Sequence, residues 1–247
     1  MTEEDTLGGI GPDTSSIRAL LGERLPAVER YARALTDHGV LRGLLGPREL
    51  PRLWERHLLN SAAVAPLLPA RGVVVDLGSG AGLPGIVLAC LRPDLSFVLV
   101  EPMLRRSTWL HEVTGLVGLE NVEVRRARAE ELVGELVVDA VTARAVAPLD
   151  RLASWALPLC RQGGELLALK GDRAEEELHA ARPQLHALGG DDGEVVRASV
   201  VPEVPSTAVI RVRRLQAAAP QQANGRGGPG PGGRPAAQRP GSRRRRR

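Results

Sequence analysis

The stretch Val75-Asp76-Leu77-Gly78-Ser79-Gly80-Ala81-Gly82-Leu83-Pro84-Gly85 carries four glycines in eleven residues. Glycines at alternate positions permit a tight turn and let a ligand approach the backbone closely. A β-branched run, Val73-Val74-Val75, precedes the loop, and an apolar run, Ile86 to Leu91, follows it. Strand, glycine loop and helix in that order form the setting in which such a motif binds a nucleotide or nucleoside. Glu101 closes the next apolar run, Phe97-Val98-Leu99-Val100, and stands 19 residues after Gly82. A carboxylate at that place accepts hydrogen bonds from both hydroxyls of a ribose.

Two cofactor classes use this arrangement. A dinucleotide fold wants Gly-x-Gly-x-x-Gly, with pyrophosphate on the helix N-terminus. Here Leu83 occupies the place of the third glycine, Gly82 stands one residue earlier, and Asp76 lies two residues ahead of the first. Asp-x-Gly-x-Gly-x-Gly is the form that holds S-adenosylmethionine. That molecule has no phosphate but carries a sulfonium and an ammonium, so an acid beside the loop suits it. The expected cofactor cradle is therefore Asp76, Gly78, Gly80, Gly82, Leu83 and Glu101. A glycine turn without function and a dinucleotide enzyme are the alternatives.

The elements that must position these residues follow from periodicity. Helical spacing begins near Asp13 with Ile17, Leu20 and Leu21, resumes at Pro26, continues through Val28, Tyr31 and Leu35, and stops at Gly39. A further helix is expected from about Pro51 to Val64. Strands are expected at 73–75, 97–100, 122–124, 137–142, 165–170, 195–201 and 208–212, the last two as an antiparallel pair. Helices are expected over about 103–117, 149–159 and 174–188, the last with a break at Pro183. Gly163-Gly164 is expected to precede the strand at 165–170. Strands alternating with helices predict a doubly wound, mostly parallel α/β sheet. The expected organisation is a flexible N-terminus (1–12), a helical cap (13–70), a Rossmann-like class I methyltransferase fold (71–216) and a disordered Gly/Pro/Arg-rich tail (217–247).

Composition restricts the setting. The net charge of +4 is carried by the tail: eight of the 33 basic residues lie in 217–247, leaving 25 against 29 acidic residues, a net of −4. Any basic patch on the folded body must therefore be local. No apolar run reaches the 18 or so residues of a membrane span, and the start, Met1-Thr2-Glu3-Glu4-Asp5, has no apolar leader core. A cytoplasmic protein is expected. Cys90 and Cys160 suggest neither a disulfide framework nor a metal site, and Cys90 reads as a buried hydrophobe. Trp54, Trp109 and Trp155 read as packing residues.

Four segments together resemble one family: Arg56-His57-Leu58-Leu59-Asn60-Ser61, Asp76 to Gly85, Ala143-Arg144-Ala145 and Ala168-Leu169-Lys170-Gly171. Over about residues 15–215 the chain resembles the RsmG (GidB) methyltransferases, which act on N7 of a guanine in 16S ribosomal RNA; the resemblance implies guanine 527, in the 530 loop. It departs from the pattern at Asn60, where Asp is frequent, and at Glu101, where Asp is frequent. The resemblance implies that Gly78, Gly80 and Gly82 approach the methionine part of S-adenosylmethionine and that Glu101 holds the ribose. Ala129 and Glu130 would frame the adenine, and Arg144 would lie at the mouth of the cofactor pocket. Arg56, His57 and Lys170 would join Arg144 on the RNA-facing side, with Arg144, Lys170 and His57 as the catalytic candidates. The partner implied is 16S rRNA or the small ribosomal subunit, with no metal and no membrane, and a monomer is the default.

The residues agree with that chemistry. Guanine N7 has an in-plane lone pair and no proton, so attack on a methyl needs position and electrostatics rather than a general base. A pyrimidine C5 methyltransferase needs a nucleophilic cysteine, usually after proline, whereas Cys160 follows Leu159 and Cys90 follows Ala89. An exocyclic-amine enzyme shows Asp/Asn-Pro-Pro-aromatic where this chain has Thr142-Ala143-Arg144-Ala145-Val146. Arginine there suits guanine O6 or a phosphate. Each assignment has a plainer counterpart: Arg144 as a structural ion pair, His57 as an orienting residue of the cap, and Arg52 and Arg56 as a solvated helix face. Lys170 is the chain's single lysine, and a compact ammonium at a strand end suits a phosphate. Two other functions compete, a methyltransferase of the same fold acting on a small molecule or protein and a non-catalytic RNA-binding assembly factor.

Overall fold

A computed structural model describes residues 14–202 and 204–216. The expected loose N-terminus (1–12) and disordered tail (217–247) lie outside the described residues. Seven strands make one sheet in the order β3-β2-β1-β4-β5-β7-β6. They are β1 (Val73–Leu77), β2 (Ser96–Val100), β3 (Val122–Arg125), β4 (Val138–Arg144), β5 (Cys160–Lys170), β6 (Glu194–Ala198) and β7 (Thr207–Arg213). β1 to β5 pair in parallel, and β7 runs antiparallel to both β5 and β6, the closing pair that the pattern predicts. β1 and β2 are nearly continuous apolar runs because both faces are covered. The seven-stranded, mostly parallel sheet confirms the doubly wound class.

One face of the sheet packs on α6 (Leu149–Ala156) and α7 (Ala174–Ala187) through a core that includes Val75, Val141, Leu166, Leu152 and Leu178. The other face packs on α4 (Gly85–Leu91), α5 (Leu104–Val117) and the N-terminal helices, with Leu99, Ile86, Trp109, Tyr31 and Leu35 in one cluster. The cap and the sheet thus share a core. β1 is the strand from which the order departs in both directions, to β2 on one side and β4 on the other. The crevice at the carboxyl ends of such a pair is where doubly wound sheets bind ligands, and the glycine loop leaves β1 at that end.

The cap begins with α1 (Thr14–Leu21) and α2 (Leu25–His38), with Pro26 in the first turn of α2 as expected. Its third part differs from the predicted helix over 51–64. A 3₁₀ stretch, Pro47–Arg52, passes into a π-helix, Leu53–Leu59, and a last turn, α3 (Asn60–Ala62). Pro51 has no N–H to give an α-helical ladder, and the wider π turn brings Leu53, Leu58 and Leu59 into the core together. Two further expectations are corrected. α7 passes through Pro183 without a break: Pro183 and His179 are exposed, so water can reach the carbonyl left unpaired, while Leu178, Ala181 and Leu185 hold the buried face. Gly163 and Gly164 lie inside β5, not before it. The β4–β5 register shifts between Val138 and Ala140; a Cβ on Gly164 would sit 2.9 Å from the Asp139 carbonyl, so glycine makes the irregular pairing possible. The helix expected over 149–159 is α at 149–156 and 3₁₀ at Leu157–Leu159. Among the described residues no helix is long and apolar enough to cross a membrane.

Candidate active site

The glycine loop turns back on itself at Gly78 (φ 66°) and Gly80 (φ 56°), backbone that favours glycine. The N–H groups of Gly78 and Ser79 donate to the carbonyl of Val100, 2.9 and 3.1 Å away, tying the loop to the end of β2. A Cβ on Gly78 would sit 2.8 Å from Val146 Cγ2, so only a bare backbone fits there. Glu101 is 2% exposed. Its Oε2 accepts from the Gly80 N–H at 3.1 Å and its Oε1 from the Met103 N–H at 2.9 Å, with the Arg106 guanidinium 3.9 Å from Oε2. Gly78, Glu101, Met103, Ala129, Glu130 and Trp155 line one cavity of about 310 Å³. Ala129 and Glu130 open the 3₁₀ turn Ala129–Leu132, where Glu131, not Glu130, closes the turn on the Arg128 N–H. A bare backbone wall, a buried carboxylate and the apolar faces of Val146 and Trp155 fit a nucleoside cofactor.

Four other predicted cradle residues, Asp76, Gly80, Gly82 and Leu83, do not line that cavity; of these, Gly80 donates its N–H to Glu101, which does. Asp76 is fully buried beneath the loop. Its Oδ2 accepts from the Gly85 N–H at 3.1 Å and its Oδ1 from the Thr142 hydroxyl at 3.0 Å, while the Ser79 hydroxyl bonds its backbone carbonyl. Burial pushes its carboxyl up to about 6, against the hydrogen bonds from Thr142 and Gly85 that pull it down. Gly82 (φ 110°) faces the cap, and a Cβ there would meet Ile86 Cδ1 at 2.4 Å and the Tyr31 hydroxyl at 2.9 Å. Leu83 is buried in the cluster shared by cap and sheet.

The cap reaches the loop through Tyr31, the chain's single tyrosine. Its hydroxyl donates to the Ala81 carbonyl at 3.0 Å, and the Trp109 indole N–H donates to the same oxygen at 2.8 Å. One carbonyl at the crest of the loop is thereby held from α2 and from α5.

Arg144 ends β4 beside this loop. Its Nη2 lies 2.9 Å from His57 Nδ1, and its Nη1 donates to the Arg56 carbonyl at 3.3 Å. His57 Nε2 in turn lies 2.8 Å from Glu49 Oε2. Burial and the neighbouring Arg144 lower the His57 pKa, with Glu49 opposing. The Arg56 side chain is exposed and also reaches Glu49, at 3.3 Å. Ala145 follows with φ 56°, a strained conformation for a residue with a side chain. The strained turn is braced from the other side by Lys170, which donates to the Ala147 carbonyl at 2.9 Å and pairs with Glu177 at 2.5 Å. Asn60, Arg144, Ala145, Val146, Lys170 and Glu177 line a second cavity of about 440 Å³. Ala145 and Val146 line both cavities and form the wall between them.

The structure thus brings Gly78, Glu101, Ala129 and Glu130 to one cavity and Arg144 and Lys170 to its neighbour, with His57 and Arg56 behind Arg144. Sequence reasoning missed Glu49, Tyr31, Arg106 and Ala145, and it treated Trp155 as packing although it lines the same cavity as Glu101. A lone tyrosine in a chain with 2% aromatic residues was a signal for Tyr31. Nothing local marks Glu49, which meets His57 only through the π turn. Among the described residues no group of three or more His, Cys, Asp or Glu side chains is placed to hold a metal.

Residues 24–201 match the family described as GidB, rRNA small subunit methyltransferase G. The ribosomal RNA small subunit methyltransferase G of Thermobifida fusca is 56% identical over 199 residues, covering 81% of this chain and 84% of that protein. The protein of the same name from Streptomyces coelicolor is 52% identical over 202 residues, with 81% and 84% covered. The one from Mycolicibacterium paratuberculosis is 49% identical over 219 residues, with 87% of each covered. Among solved structures, a SAM-dependent methyltransferase from Aquifex aeolicus superposes with a TM-score of 0.51 at 16% identity, covering 67% of this chain and 94% of that one. NSun6 from Pyrococcus horikoshii gives 0.52 at 15% identity, covering 64% and 52%. These two show the fold alone. With one family matched along most of its length and relatives near half identical, the chain belongs to the rRNA small subunit methyltransferase G family.

Proposed function

We propose that this protein moves a methyl group from S-adenosylmethionine to N7 of a guanine in 16S rRNA. The observation that carries the reading is the pair of cavities that share Ala145 and Val146 as a wall, one built for a nucleoside and the other bordered by Arg144 and Lys170. Family membership makes the chain an S-adenosylmethionine-dependent rRNA methyltransferase; the base, the atom and the residue roles are our assignment. When bound, the cofactor supplies an electrophilic sulfonium methyl. Glu101 accepts hydrogen bonds from its ribose, Gly78 and Gly80 let it lie against the backbone, and Ala129, Glu130 and Trp155 flank its adenine. Asp76, Gly82 and Leu83 act one layer behind, keeping the loop in shape.

Two of the five N–H donors of Arg144 are spent on His57 and the Arg56 carbonyl. The remaining three serve guanine O6 or a flanking phosphate and leave N7 free to attack. Lys170 holds the 144–147 turn and presents positive charge at the rim, and Arg56, on the exposed side, contacts the RNA backbone. The protein works as a monomer in the cytoplasm, on the RNA or the assembled small subunit. The test is methyl transfer from labelled cofactor to unmethylated small subunits and to naked 16S RNA, with the modified base mapped. Transfer to N7 of one guanine is expected, and a label on an exocyclic amine or on protein rejects the assignment.

A further inference from the structure

We infer that Glu49 is a positioning residue for methyl transfer, acting through His57 to set the orientation of Arg144. The inference rests on the proposed role of Arg144. A guanidinium has only donors, so the His57 Nδ1 facing Arg144 Nη2 at 2.9 Å must present a lone pair. The ring proton of neutral His57 then sits on Nε2 and is donated to Glu49 Oε2 at 2.8 Å. The Glu49 carboxylate fixes that tautomer, as a carboxylate behind a metal-bound histidine does. The opposite tautomer, or a protonated ring, would put an N–H against the guanidinium.

Glu49 and His57 line neither cavity. Their route to the reacting atoms runs through Arg144 alone. The charged groups facing the ring are Glu49 from the 3₁₀ stretch, Arg144 from β4 and Arg56 from its own π turn. The two cations oppose protonation and Glu49 favours it, and with burial the balance leaves the ring neutral, as the chain of bonds requires.

The experiment measures kcat and KM for cofactor and RNA in the full-length protein, Glu49→Ala and Glu49→Gln. Nitrogen-15 spectra of labelled histidine report the ring tautomer independently of turnover. Glu49→Ala should lose about tenfold in kcat with KM for the cofactor within twofold. Glu49→Gln should recover most of that loss, because its amide oxygen still accepts the Nε2–H. The acid limb of kcat, which reports His57 protonation, should lie at lower pH in Glu49→Gln, since a charge that favours the imidazolium is gone. A role confined to stability would leave the limb unmoved. Full kcat in Glu49→Ala, a Gln variant as impaired as Ala, or a proton on Nδ1 in the wild type would overturn the inference. An inactive wild type would instead remove the proposed function, and this inference with it.

Discussion

At the scale of single residues, the proposed site separates groups that face ligand from groups that hold them. Asp76 belongs to the second kind, and its burial makes a sharp expectation. A carboxyl raised from 3.8 to about 6 on folding retains its proton in the folded state while the unfolded chain loses it. Stability from this group is complete below pH 4 and declines as pH rises toward 6, by about 3 kcal/mol at 1.36 kcal/mol per pH unit. Asp76→Asn should remove that decline: its amide oxygen accepts from Gly85, its N–H₂ meets Thr142, and the threonine hydroxyl turns to the Val75 carbonyl, 3.4 Å away. Unfolding midpoints of wild type and Asp76→Asn between pH 4 and 7 check this; parallel curves would sink it. Asp76→Ala, with neither bond, should weaken cofactor binding at least tenfold in a titration. Arg144 lines the second cavity and in the proposed assignment faces the substrate. Arg144→Ala should cost about 10²-fold in kcat, in the range of a lost transition-state hydrogen-bond donor, with cofactor affinity within twofold. Arg144→Lys should recover little, because an ammonium cannot serve His57, a carbonyl and the substrate from one planar fork. Wild-type turnover in the lysine variant would show that charge alone suffices.

At the scale of elements, the legible parts of the fold were those whose local pattern and tertiary role agree. Residues 73–75 and 97–100 read as strands because central parallel strands are apolar on both faces, and the loop between β1 and α4 read as a cofactor turn because glycine spacing is a local requirement. Arg144 was legible as a candidate through its family segment and its expected place after the fourth strand, and it does end β4. What escaped was decided by contacts far away in the chain. The π turn at 53–59 exists because Leu53, Leu58 and Leu59 are all wanted in the core, and without it nothing relates Glu49 to His57. Pro183 is harmless only because its side of α7 faces water. Asp76 was read as a partner of the cofactor because its position in the motif says nothing of which way its side chain turns. The contact between cap and loop is another such decision, and it can be tested. Tyr31→Phe removes one of the two donors to the Ala81 carbonyl. Trp109 keeps that oxygen paired, so the expected cost is about 1 kcal/mol of unfolding free energy. Cofactor affinity should fall only a few-fold. A Phe variant indistinguishable in both measurements would show that the indole alone fixes the loop.

At the scale of the whole molecule, charge is divided along the chain rather than across a fold. Residues 1–216 carry a net −4 and 217–247 eight arginines without an acid. An RNA-modifying body with net negative charge repels its substrate at long range, and the contacts proposed at Arg56 and Arg144 act only locally. We expect the arginine-dense segment to supply the missing long-range attraction, through contacts with phosphates that carry no sequence information. Each phosphate neutralised contributes about 0.7 to 0.9 to the slope of log affinity against log salt. If half of the eight arginines engage the RNA, a protein ending at residue 216 should show a slope shallower by about 3. At 50 mM salt it should bind RNA at least tenfold more weakly than the full chain, and the two should converge as salt is raised. Cofactor affinity should not change, since the cavity proposed to receive it is lined only by residues between 77 and 155. Filter binding of both proteins across a salt series, with a cofactor titration beside it, separates the outcomes. Equal slopes would mean that the tail is a bystander in RNA binding, and a collapse of cofactor affinity in the shortened protein would mean that the cavity depends on more of the chain than its walls.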